Sequence, residues 1–239
     1  MYILEDKIYL HFQKTGGFSV YEIIKQKKLK KLWFKEHNGI VSIPEEYKHL
    51  RRFTFMRNPY DWYVSFFFFH EAMRLRENRS AWINPFLRSL TFKNTCYFNQ
   101  FIHGACNLKE FYIEHPAMHE EMIKQFYIVM KFKNKGWVET WFKNPDSIEE
   151  DLAIDNLDMT LIDWYMNIMG LNEPNTTIYK LENFKRGMEI EFGPTEEVPH
   201  KHKSKHNDYR HYYNEESIRE VDISHRHILD RFGYEFEKT

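Results

Sequence analysis

Two short segments of this 239-residue chain carry the residue types from which an anion site is built. In the first, the apolar run from Lys7 to Phe12 empties into Gln13-Lys14-Thr15-Gly16-Gly17-Phe18-Ser19. Adjacent glycines let the backbone turn sharply with its N–H groups turned outward, and a helix beginning there adds the positive end of its dipole. Lys14 supplies a full charge, while Thr15 and Ser19 supply hydroxyl donors. In the second, Arg52 to Met56 empties into Arg57-Asn58-Pro59, and Ser65 follows eight residues after the arginine. Proline favours the first turn of a helix, so Ser65 falls about two turns into one, at ~3.6 residues per turn. Arg57 and Ser65 can then approach one anion from two sides. Taken singly, these residues also have plainer roles: a Gly-Gly turn with a solvated lysine, an arginine paired with Asp61, and a serine in a buried aromatic helix. The Walker pattern is absent, since Lys14 precedes the glycines and no Gly-Lys-Ser/Thr follows them.

Together the segments resemble a known family. Gln13 to Ser19 looks like the P-K-T-G-G-T-S loop that binds the 5′-phosphosulfate in sulfotransferases of the carbohydrate type. Phe53 to Ser65 looks like that family's F-x-F-V-R-N-P-Y-D-R-L-V-S segment, in which the arginine and serine hold the 3′-phosphate. Val198 to Ser204 resembles an l-P-h-x-N-x-S stretch, and Tyr212 to Arg226 with Asp230 to Phe236 resembles a closing helix ending in D-x-F-G-Y. The likeness fades between about residues 74 and 176. It departs at Gln13 (usually Pro), Phe18 (Thr), Trp62 (often Arg) and His202 (Asn), so a hydroxyl donor and part of the adenine side are altered.

The resemblance implies an enzyme that moves a sulfuryl group from 3′-phosphoadenosine 5′-phosphosulfate (PAPS) to a hydroxyl acceptor, a carbohydrate or other small molecule. It implies cofactor contacts at Lys14, Thr15, Gly16, Gly17, Phe18, Ser19, Arg57, Ser65, Lys203 and Ser204. Lys14 would also stabilise the leaving phosphate. Proton removal from the acceptor needs a base of near-neutral pKa, which favours histidine. His37, between the two anion segments, occupies the place of the family's catalytic histidine, with His11 as competitor. The alternatives are a P-loop-like kinase and a catalytically silent nucleotide-binding module.

No metal is expected. His200, His202, His206 and His211 have some chelating spacing, but Lys201, Lys203, Lys205 and Arg210 among them oppose a divalent cation. A basic loop closing over the nucleotide fits that stretch better. The net charge of −1 lends no support to nucleic-acid binding, so any anion site must be local. Only Cys96 and Cys106 occur, read as two buried free thiols in a reducing compartment. The longest apolar run, Tyr63 to Phe69, is far short of the ~20 residues of a membrane span. A cytoplasmic protein without a membrane segment is the expectation.

The elements that must position these residues read as an α/β domain, P-loop-like and three-layered, with a short central parallel sheet flanked by helices. One domain is expected over residues 1–239, with a helical acceptor-side insertion over roughly 74–176. Strands are expected at Lys7–Phe12, Lys31–Phe34, Arg52–Met56 and Thr176–Lys180, with helices at Ser19–Lys28, Pro59 to about Arg79 and Asp158–Met169. The aromatics of the middle region (Trp82, Phe86, Phe98, Phe101, Phe111, Phe126, Trp137, Trp141, Trp164) read mainly as core. Glu182 reads as support for a strand-to-helix junction rather than as a reacting group.

Overall fold

A computed structural model describes residues 1–34, 38–74, 98–131, 148–195 and 206–237. Its five strands are β1 (Tyr2–Ile3), β2 (Lys7–Tyr9), β3 (Trp33–Phe34), β4 (Arg51–Met56) and β5 (Thr176–Lys180), in the order β3-β1-β2-β4-β5. Strands β2, β4 and β5 run parallel, with Tyr9 opposite Phe53 and Met56 opposite Lys180. Strand β1 is antiparallel to both its neighbours.

The sheet is therefore mixed, and the expectation of a parallel sheet holds only for its β2-β4-β5 half. The cause lies in the first ten residues. Two apolar runs, Met1–Leu4 and Ile8–Leu10, flank Glu5-Asp6, and Leu4 N donates to the Lys7 carbonyl at 2.9 Å to close a tight reversal. So short a connection can join only antiparallel strands. Because Tyr2 pairs with both Tyr9 and Phe34, β3 runs in the direction of β2 and ends at the same level. The strand expected at Lys31–Phe34 is real but shorter, and it joins the sheet through β1.

The described helices are α1 (Gly17–Gln26), α2 (Pro59–Arg74), α3 (Phe98–Cys106), α4 (Leu108–Glu114), α5 (Pro116–Lys131), α6 (Ile148–Asp151), α7 (Leu161–Met169), α8 (Phe184–Phe192), α9 (Glu215–Ser224) and α10 (Arg226–Phe232). Alternation along the strands sends Tyr9, Phe53 and Phe55 to one face, against Val20, Ile23 and Ile24 of α1 and Phe184 and Met188 of α8. On the other side, Phe12 and Met56 join a larger core with Tyr60, Trp62, Tyr63 and Phe66 of α2, Phe101 of α3 and Tyr165 of α7. Each large side chain buried there contributes about 2 to 3 kcal/mol of apolar transfer energy.

Phe98, Phe101, Phe111, Phe126 and Trp164 are buried, as their spacing suggested. Trp82, Phe86, Trp137 and Trp141 lie outside the described residues. Helix α7 starts at Leu161 rather than at Asp158, because the Thr160 hydroxyl caps it by accepting from Asp163 N at 3.1 Å. Cys106 is a buried free thiol, and Cys96 lies outside the described residues. Among the described residues no helix is long and apolar enough to cross a membrane.

Candidate functional site

The loop between β2 and α1 is built around two glycines and one strained lysine. Gly16 takes φ +80° and serves as the N-cap of α1, so the helix begins two residues earlier than the sequence suggested. Its first backbone bonds run from Ser19 N and Val20 N to the Gly16 carbonyl at 2.9 and 3.2 Å. The N–H groups of Gly17 and Phe18 precede that bonding and point with the positive end of the helix dipole. At Gly17 the reason for glycine is space: an added Cβ would sit 1.9 Å from Nε2 of His11. His11, stacked on Tyr9 at 6.0 Å, thus packs directly against the loop.

Thr15 is fully buried, and its hydroxyl donates to the Phe12 carbonyl at 2.7 Å. In this structure its side chain ties the turn back to the end of β2. Gln13 offers its carbonyl to the indole N–H of Trp62 at 2.8 Å, so Trp62 ties the loop to α2. Ser19 is buried at the base of α1, and Phe18 is exposed.

Lys14 takes φ 62°, the left-handed region that a residue with a Cβ occupies at a cost. The turn carries its side chain over α2, where Nζ lies 4.1 Å from the centre of the Phe69 ring. Burial, followed by the repulsion of the Arg57 guanidinium, pushes its pKa down to about 8. Lys14 and Arg57 therefore share one electrostatic environment.

Arg57 stands directly after β4. Its Nε donates to Asp61 at 2.5 Å, an i,i+4 ion pair with the arginine side chain 16% exposed. The pairing considered from the sequence does form. It engages Nε alone, however, and both Nη nitrogens are without a protein partner among the described residues. A mostly buried guanidinium with its fork unengaged is suited to a bidentate oxyanion. Asn58 caps α2 behind it, accepting from Tyr60 N at 3.2 Å on Oδ1 and from Trp62 N at 2.8 Å on its carbonyl.

Helix α2 joins the two cations. Asp61, Ser65 and Phe69 recur every four residues and form one stripe. The stripe rises about 12 Å, with the arginine's partner at one end and the lysine's seat at the other. Ser65 lies between them, 1% exposed. The i,i+4 spacing of Arg57, Asp61, Ser65 and Phe69 is legible in the sequence, yet Asp61 and Phe69 attract attention only once Lys14 arrives from another strand.

A third cation stands at the same end of the sheet. Lys180 closes β5 opposite Met56, and its Nζ lies 4.4 Å from the centre of the Tyr234 ring. The Tyr234 hydroxyl donates to Glu182 at 2.7 Å and lies 3.0 Å from the Met56 carbonyl, while Asn58 N donates to the other Glu182 oxygen at 3.3 Å. Glu182 thus braces the β4 and β5 ends against the C-terminal segment, the supporting role its position suggested. Burial and Glu182 hold the Tyr234 phenol well above its ordinary pKa, so it remains a neutral donor.

His37, Lys203 and Ser204, together with His200 and His202, lie outside the described residues. Strand β3, which ends three residues before His37 in sequence, finishes at the same end of the sheet as β2, from which the Lys14 loop departs. Among the described residues no cluster of three His, Cys, Asp or Glu side chains is disposed to hold a metal ion. Comparison of the chain with protein-family models, curated proteins and solved structures finds no match in any of the three.

Proposed function

We propose that this chain is a sulfotransferase that takes its sulfuryl group from PAPS and delivers it to a hydroxyl, with carbohydrate as the acceptor class. The observation that carries the reading is the sharing of one α2 stripe by Lys14 and Arg57, which leave adjacent parallel strands at their carboxyl ends. Ligands of open α/β sheets bind at such ends. A P-loop-like description of the domain belongs to this reading, on the strength of the strand, Gly-Gly turn and helix succession.

The residues present fit the donor. The unengaged Arg57 fork suits a phosphate dianion, with Ser65 beside it on the helix. The Gly16-Gly17 turn, the first N–H groups of α1 and Lys14 suit a second anionic group. When bound, the nucleotide supplies an activated sulfuryl group and a bisphosphate leaving group.

His37 would accept the acceptor's proton as the hydroxyl oxygen bonds to sulfur and the sulfur–oxygen bond to phosphate breaks. Lys14 would hold the charge that grows on the departing oxygen, a task suited to a cation already taken out of water. Alignment by the loop and by Arg57 would supply much of the acceleration. No step in this scheme calls on a metal. A kinase reading is disfavoured, because the cation precedes the glycines.

The test has two parts. Thermal unfolding is followed with 3′-phosphoadenosine 5′-phosphate and with ATP, and a larger shift with the former is expected. Acceptor panels with PAPS are then screened by mass for one added sulfate, using wild type and His37→Ala. Turnover that survives in His37→Ala removes that residue from the role, and a nucleotide shift without any turnover favours a silent binder. No preference for the 3′,5′-bisphosphate rejects the reading.

A further inference from the structure

Four aromatic rings cross the end of the sheet on the β3 side of the Lys14 loop. Phe18, in the first turn of α1, is 41% exposed and meets Tyr21 edge to face at 6.1 Å. Tyr21 stacks on Tyr2 at 6.1 Å, and Tyr2 stacks on Phe34 at 4.4 Å and 21°. Tyr2 is buried, whereas Phe34 is 42% exposed. The Lys31 ammonium reaches two of these rings, 5.3 Å from the centre of Tyr21 and 6.0 Å from that of Phe34.

Burying the hydrophobic core does not account for this arrangement. Core rings in this chain are almost fully covered, while Phe18 and Phe34 each leave about two fifths of their surface in water at opposite ends of one stack. Register sets the location. Phe34 and Tyr9 both pair with Tyr2, so the stack lies at the carboxyl-end level of β2, where the Lys14 loop begins. The charge around it is positive. Five lysines fall between positions 25 and 31, against Glu5, which pairs with Lys30 at 3.6 Å, and Glu22 of α1. Among the described residues Lys31 makes no ion pair.

Aromatic faces beside a cation have a specific chemical complement. The C–H face of a pyranose lies flat on an exposed ring, and a carboxylate or sulfate on that sugar meets an ammonium at the rim. A purely apolar partner would leave Lys31 desolvated without compensation. We propose that Phe18, Tyr21, Phe34 and Lys31 form a shelf that binds an acidic oligosaccharide and presents its hydroxyl to the Lys14 loop. Its identification as the acceptor side rests on the sulfotransferase reading. Binding of the sugar does not.

The experiment measures binding of a sulfated, uronate-containing hexasaccharide by calorimetry without nucleotide, beside its desulfated, carboxyl-reduced counterpart. Lys31→Ala, Phe34→Ala and Phe34→Leu are compared with wild type, and far-UV circular dichroism checks that each is folded. The acidic sugar is expected to bind at least about tenfold more tightly than the neutral one, and Lys31→Ala to erase most of that difference. Phe34→Ala should weaken both sugars, with Phe34→Leu intermediate, while the thermal shift given by 3′-phosphoadenosine 5′-phosphate stays at the wild-type value. Unchanged sugar affinity in the Lys31 and Phe34 variants overturns the proposal, as does wild type that binds neither sugar. Loss of the nucleotide shift in Phe34→Ala also overturns it, because the ring would then stack a base. Absence of any nucleotide response in wild type fells the enzyme reading and leaves the sugar measurement standing.

Discussion

The Lys14 ammonium lies 4.1 Å from the centre of the Phe69 ring, so a loop residue after β2 rests on a residue four positions beyond Ser65 on α2. Two elements distant in sequence meet through a cation and an aromatic face. The contact offsets part of the cost of desolvating the ammonium, and an arriving anion would draw the same group off its seat.

Lys14→Met separates function from stability. Loss of the cation should lower transfer by about 10²-fold or more, the scale of deleting one preorganised charge-stabilising group. Stability should not fall at pH 7, because the folded pKa of about 8 lies below the ordinary 10.5. Between those two values the unfolded chain holds more protons, so wild-type stability rises with pH across that window. Chemical denaturation from pH 7 to 10.5 should show this rise in wild type and a smaller one in Lys14→Met. Transfer that persists at the wild-type rate removes Lys14 from the chemistry.

Arg57→Ala should distinguish ligands by their 3′-phosphate. Affinity for 3′-phosphoadenosine 5′-phosphate is expected to drop about tenfold to a hundredfold, by analogy with the loss of a charge-assisted pair, and that for adenosine 5′-phosphate far less. Calorimetry with the two nucleotides makes the comparison. Equal losses for both would assign Arg57 to holding α2 through Asp61 instead.

Gly17→Ala drives a methyl group into the His11 ring, and removing that ring should relieve it. The single substitution is expected to destabilise the fold, and His11→Ala in the same chain to recover most of the loss. The coupling should be about 1 to 3 kcal/mol, the range for residues in direct contact. A double-mutant cycle from urea unfolding gives the number. Additive effects would mean that the loop yields without His11.

His225 governs acid stability at the junction of α9 and α10. It is fully buried with Nε2 3.0 Å from the Tyr63 hydroxyl, and burial pushes its pKa down to about 4 from 6.5. The unfolded chain takes up a proton below pH 6.5 and the folded one does not, so stability is complete above 6.5 and declines towards pH 4. The decline attributable to this group is on the order of 3 kcal/mol. His225→Gln, which keeps an acceptor for Tyr63, should flatten the profile between pH 4 and 6.5. An unchanged slope would place the acid sensitivity in other groups.

Much of the positioning machinery was written locally. The apolar run Phe53 to Met56 and the β-branched and aromatic run Thr176 to Tyr179, closed by Arg57 and Leu181-Glu182, mark strands and their ends without reference to the rest of the chain. Gly16-Gly17 marks a turn because only glycine accepts φ +80° there without strain and only glycine leaves room for His11. The bond from the Thr15 hydroxyl to the Phe12 carbonyl was not legible, since a threonine that closes a turn looks the same in sequence as one that does not.

What the sequence determined by itself was therefore the inventory: strand ends, a cation before a glycine turn, an arginine before a capped helix. Only the tertiary structure decided which of these meet. Strand order, the Trp62 bond to Gln13 and the seating of Lys14 on Phe69 all depend on contacts between residues far apart in the chain, some fifty positions for the last two. Side-chain periodicity records which face of an element is buried. It carries no record of the neighbour that buries it, because that choice is made by the packing of the whole chain.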